Sequence, residues 1–100
     1  MLRISIVERR KQRRLVLEGK LIAPWADELK SVYEKANADL NGRELVIDVK
    51  CLTAINEDGE NVLLELLKRR ASFRSAGLFT KHVLKRLALE NRRNVREEKG

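Results

Sequence analysis

Apolar and polar residues alternate through Leu2-Arg-Ile-Ser-Ile-Val7, break at the polar run Arg9-Arg-Lys-Gln12, and resume a similar pattern at Arg14-Leu-Val-Leu-Glu18. A period of two sends successive side chains to opposite faces, so both segments read as strands and the polar run between them as a turn. Together they predict an antiparallel hairpin, with Gly19 breaking the second strand near Lys20-Leu-Ile22. From Pro24 the period lengthens. Trp25, Leu29, Val32, Tyr33, Ala36 and Leu40 recur mostly three or four apart, an apolar stripe on a helix that Pro24 opens at its first turn and Asn41-Gly42 closes. Trp25 and Tyr33 could stack on a ligand, but at helical spacing they are read as core.

Leu45-Val-Ile-Asp-Val49 is almost wholly apolar, the pattern of a strand inside a parallel sheet, with Asp48 as the exception. A turn is predicted over Asn56 to Gly59. Val62, Leu63, Leu66 and Leu67 then give a second helix its buried face, and Lys68, Arg69 and Arg70 place positive charge where a helix dipole favours it. Residues 71–75 read as a short edge strand ended by Gly77. Leu78, Val83, Leu84 and Leu87 form the apolar side of a third helix that starts near Thr80 as an N-cap. Residues 91–100 have little to bury and are expected to form a basic, flexible tail.

The order β, β, α, β, α, β, α, combined with right-handed crossovers, predicts an α/β fold in one domain. Its sheet is four-stranded and mixed: an N-terminal antiparallel hairpin followed by parallel β-α-β units, in sequential strand order, with helices packed along the sheet.

The net charge of +7 is concentrated at the two ends. Residues 1–14 carry six basic side chains against Glu8, and residues 81–100 carry seven against Glu90, Glu97 and Glu98, leaving a slightly acidic middle. Such poles suit either a solvated surface or an acidic partner. Cys51 is the lone cysteine and closes an apolar strand, so it is expected to be a buried structural thiol in a reducing cytoplasm. No apolar run has the length of a membrane span, and the N-terminal segment reads as a strand and not a signal peptide.

The chemistry of catalysis is missing from the pattern. His82 lies between Lys81 and Lys85 and reads as an exposed helix residue; Ser5, Ser31, Ser72 and Ser75 have no nucleophile elbow around them. Gly19, Gly42, Gly59 and Gly77 are isolated, so no phosphate loop forms, and Asp27, Glu28 and Glu34 are solubilising helix charges. No enzyme activity, cofactor or metal is expected.

Leu45-Val-Ile-Asp48, followed by Ala54-Ile-Asn-Glu-Asp-Gly59 and the Leu-rich helix, resembles the STAS domain of sulfate transporters and anti-sigma factor antagonists. Leu17-Glu-Gly-Lys-Leu21 with Pro24, Trp25, Glu28 and Leu29 extends the likeness, which covers residues 2 to about 90. In regulatory members an Asp-Ser-Ser-Gly or Asp-Ser-Thr-Gly motif opens this helix, and phosphorylation of its second hydroxyl releases the domain from an anti-sigma factor kinase. The resemblance places Asn56 at the motif's Asp, Glu57 at its first Ser and Asp58 at the phosphoacceptor, with Gly59 retained.

The implied function is a non-catalytic, cytoplasmic, bacterial protein-interaction domain whose partner is an anti-sigma factor kinase or a diverged equivalent. The contact surface would be the loop over residues 53–59 and the helix start: Asn56, Glu57, Asp58, Gly59, Glu60 and Asn61. Asp58 is then either a fixed negative charge in place of a switchable phosphate or a helix cap. Two other classes stay open. One is nucleic-acid binding, with Arg9, Arg10, Lys11, Arg13 and Arg14 joined to Arg92, Arg93 and Arg96; the other is self-association through the hairpin or the edge strand.

Overall fold

In the computed structural model, which describes residues 1–74 and 78–99 with side chains over 1–74 and 81–91, the chain forms four strands and three helices in the predicted order. The strands are β1 (Leu2–Glu8), β2 (Gln12–Leu21), β3 (Glu44–Ile55) and β4 (Ser72–Arg74). They lie in the sequential order β1-β2-β3-β4, with the first pair antiparallel and the others parallel. The helices are α1 (Trp25–Ala38), α2 (Glu57–Lys68) and α3 (Leu78–Lys99). The α3 backbone continues through most of the segment expected as a tail, and it begins at Leu78, two residues ahead of the cap expected at Thr80. Ser75 and Gly77, expected to end the last strand, lie outside the described residues.

Strand parity sorts the sheet into two unlike faces. Leu15, Leu17, Leu45, Ile47 and Val49 join one cluster with Leu29 and Tyr33 of α1, Leu63 and Leu66 of α2, and Val83 and Leu87 of α3. Both β-α-β crossovers advance in the same direction across the sheet, so right-handedness puts α1 and α2 on one side. Arg14, Val16, Val46 and Asp48 alternate onto the other side, outside that cluster.

Two expectations for the strands are corrected. Gly19 does not end β2: the strand runs on to Leu21, with Gly19 at φ 101° accommodating a shift in register. Cys51 is exposed, not buried. From Leu45 to Val49 the odd residues face the helices, and an unbroken strand would send Cys51 inward after them. Between the pairs Val16↔Asp48 and Glu18↔Cys51, however, β3 contains one more residue than β2. This bulge reverses the parity, so Lys50 and Cys51 are both exposed and Leu52 takes the buried place. Asp48 belongs to the same device. Its carboxylate is buried, and Oδ1 accepts the Lys50 N–H at 3.1 Å, a main-chain group beside the interrupted ladder.

Among the described residues Arg13 is the other buried charged side chain, and it falls on the helix side of β2. Its guanidinium donates to Glu8 Oε1 at 2.6 Å, Glu8 Oε2 at 3.2 Å, Asp39 Oδ1 at 2.6 Å and the Ala36 carbonyl at 2.7 Å. It therefore ties the hairpin to the C-terminal turn of α1, where free carbonyls and the negative dipole end favour a cation. Hydrogen bonds from Arg13 hold the Glu8 and Asp39 carboxyls below the usual carboxylate range. α1 ends at Ala38, so Leu40 packs on the core from beyond the helix. Asn41 and Gly42, both at positive φ, make the turn into β3.

Candidate functional site

The segment joining β3 to α2 is organised by Asn56. Its backbone is extended, at φ −98° and ψ −173°, and its side-chain oxygen accepts the Gly59 N–H at 3.0 Å. Its carbonyl accepts the Glu60 N–H at 2.9 Å, the first turn of the helical ladder. An Asn in extended geometry bonding the N–H three residues on is an N-cap, so the cap of α2 is Asn56 and not Asp58. The predicted turn over Asn56 to Gly59 is accordingly helical from Glu57, and residues 53–55 belong to β3.

Gly59 explains why the helix can start where it does. The Asn56 N–H donates to the Leu21 carbonyl at 3.3 Å, docking the helix start on the end of β2. Gly59 is buried against the same carbonyl: a Cβ at this position would stand 3.1 Å from the Leu21 carbonyl carbon, closer still to its oxygen, and 3.0 Å from Ile55 Cγ2. The glycine is there for close approach of helix and strand.

This frame leaves an acidic rim. Asn56, Glu57, Asp58 and Asn61 are exposed around the first turn of α2, with Asp58 as the second helical residue. Their position at the positive end of the helix dipole suits negative charge. Glu60 is only partly exposed and pairs with Arg86 of α3, which also reaches Glu90 at 3.3 Å. The hydrogen bond to Glu60 raises the Arg86 pKa. Of the six predicted contact residues, four therefore present side chains to solvent, Glu60 is engaged with α3, and Gly59 is scaffold.

The pairing of Arg86 with Glu60 had no local signal in the sequence, because the two are 26 residues apart. It also lines a cleft of about 320 Å³ with His82, Lys85 and Leu89, next to the acidic rim through the Glu60 pair. His82 is exposed as expected. The basic hairpin is less available than its sequence suggests: Arg13 is buried in its ion pairs, and Arg14 donates to Gln12 Oε1 at 3.3 and 3.1 Å. The side chains of Arg92, Arg93 and Arg96 lie outside the described residues. Among the described residues there is no cluster of His, Cys, Asp and Glu able to hold a metal, and no helix long and apolar enough to cross a membrane.

Comparison by sequence, with family descriptions and with curated proteins, yields no match. Comparison of structures does. The anti-sigma factor antagonist SpoIIAA in its unphosphorylated form superposes with a TM-score of 0.53 at 11% identity, covering 88% of this chain and 98% of the other. At that identity the likeness speaks for the fold. The order of strands, the mixed sheet and the placement of α2 at the end of β3 are those of a STAS-like domain, and that is the fold of this protein.

Proposed function

We propose that this protein is a non-catalytic, cytoplasmic interaction domain that works as anti-sigma factor antagonists do, with a permanent acidic surface where regulatory relatives carry a phosphorylatable hydroxyl. The observation that carries this reading is the exposure of Asp58 and Glu57 on the first turn of α2, held outward by the Asn56 cap and the Gly59 contact. A phosphoserine there would bring close to two negative charges to a helix N-terminus. Asp58 brings one that no phosphatase removes, and Glu57 adds another beside it. The partner that fits is a protein with a basic groove; because phosphate at this turn releases regulatory members from their kinase, that partner is a diverged equivalent of the kinase-type anti-sigma factor, one that the negative charge attracts.

Asn56, Glu57, Asp58 and Asn61 form the contact, while Gly59 and Glu60 hold the turn in place. The test is titration of the purified protein with anti-sigma factor homologues from its own host, comparing wild type with a Glu57→Gln, Asp58→Asn double variant that keeps shape and removes charge. Loss of the two charges should weaken binding about tenfold and flatten its salt dependence. Equal affinity, with both proteins melting alike, refutes the reading.

A further inference from the structure

We infer that the free edge of β1 pairs with the β1 of a second copy of this chain, antiparallel and in one register, with the twofold axis passing through Ser5. This rests on the sheet edge alone and stands apart from the α2 surface. Among the described residues β1 ends the sheet, and its one strand partner is β2. The bonds that bracket the hairpin show which way its main-chain groups point. The Met1 carbonyl accepts the Lys20 N–H at 3.0 Å, and the Arg9 N–H donates to the Gln12 carbonyl at 2.8 Å. Antiparallel ladders alternate, so the odd residues of this strand turn their N–H and C=O groups towards β2, and Leu2, Ile4, Ile6 and Glu8 turn theirs away from it. The strand contains no proline, and its register with β2 runs unbroken from Leu2 to Glu8, so two of the usual devices that blunt an edge, proline and a bulge, are missing.

The side chains favour self-pairing. Ile6 is 53% exposed and floors an open cleft of about 460 Å³ between β1 and α1, walled by Val32, Lys35, Ala36 and Asp39. Of the registers that bring the outward groups face to face, only the one centred on Ser5 overlaps the whole strand. It sets Ile4 opposite Ile6 of the second copy and Leu2 opposite Glu8 on the helix side, and Arg3 opposite Val7 on the bare side. Within β1 no like charges stand opposite each other. The four pairs of outward residues would exchange about eight main-chain hydrogen bonds. The product is one continuous sheet of two copies. α2 packs on α1, α3 and β3, and its start docks on the end of β2, so the acidic rims of both copies lie away from the β1 edge.

Sedimentation of the wild-type protein should give a mass approaching twice 11.6 kDa as concentration rises, and Ile6→Lys should weaken association at least tenfold with an unchanged melt. Cysteine crosslinking tests the register, in a Cys51→Ser background that leaves no other thiol. A central, non-hydrogen-bonded pair has Cα atoms about 4.5 Å apart, within disulfide range, so Ser5→Cys should oxidise to a covalent dimer. Arg3→Cys should not crosslink to itself, because the two copies of residue 3 are about 13 Å apart along the strands, but it should crosslink to Val7→Cys when the two variants are mixed. A mass of 11.6 kDa at every concentration overturns the inference. So does crosslinking of Arg3→Cys alone as efficiently as Ser5→Cys.

Discussion

Replacing Gly59 with alanine adds one methyl group at the point where α2 comes nearest to β2. The new carbon would lie 3.0 Å from Ile55 Cγ2 and 3.1 Å from the Leu21 carbonyl carbon, and inside contact distance of the carbonyl oxygen. Ile55 can yield; Leu21 is main chain in a paired strand and cannot yield without disturbing its ladder. The helix must move instead, stretching the Asn56 to Leu21 hydrogen bond that is already 3.3 Å long. Overpacking of this kind costs about 1–3 kcal/mol. Alanine's better helix propensity returns at most about 1 kcal/mol, and less than that in a first turn. The net expectation is a loss of about 1.5 kcal/mol, read as a fall in Tm of roughly 8 °C for a domain of this size. Thermal and urea denaturation followed by far-ultraviolet circular dichroism measures it. If Gly59→Ala melts at or above the wild-type temperature, helix propensity outweighs the contact and the account of the close approach is wrong.

The cap assignment separates two neighbours: Asn56→Ala should cost about 1 kcal/mol, and Asp58→Ala, which loses only its favourable place at the dipole, about 0.5 kcal/mol. Urea titration decides it, and a larger loss at Asp58 would return the cap to that residue. Arg13→Met should show a pH signature. The folded-state pKa values of Glu8 and Asp39 are lowered by Arg13, so the stability they contribute is complete at neutral pH, above the unfolded-state values, and is lost as pH falls through the folded-state values. The stability gap between wild type and Arg13→Met should therefore narrow on acidification through the carboxylate range; a gap independent of pH refutes the linkage.

Much of the architecture was legible because periodicity changes cleanly along this chain. The alternation at Leu2–Val7, the helical stripe from Trp25 and the apolar run at Leu45–Val49 each had one physical reading, and chain order with right-handed crossovers then left one sheet. What was not legible depended on register or distance. The extra residue in β3 leaves no mark in composition, yet it turns Cys51 outward and gives buried Asp48 a hydrogen-bonding task. Arg13 looked like one more charge in a basic turn; its acceptors Ala36 and Asp39 are 23 and 26 residues away. Before α2 the sequence placed a turn but offered Asp58, not Asn56, as a cap. Asn56 is the favoured residue type in the right place, and the resemblance to a phosphorylated motif drew attention two positions too far along.

Because the bulge turns the single sulfhydryl of the molecule to solvent, chemistry can address this protein at one defined point without altering its sequence. A maleimide dye coupled at Cys51 would sit in β3, the strand that leads into Asn56, on the side away from the helices, where its emission can report whatever docks on the acidic turn. Attachment to a surface through that sulfur would orient every molecule alike.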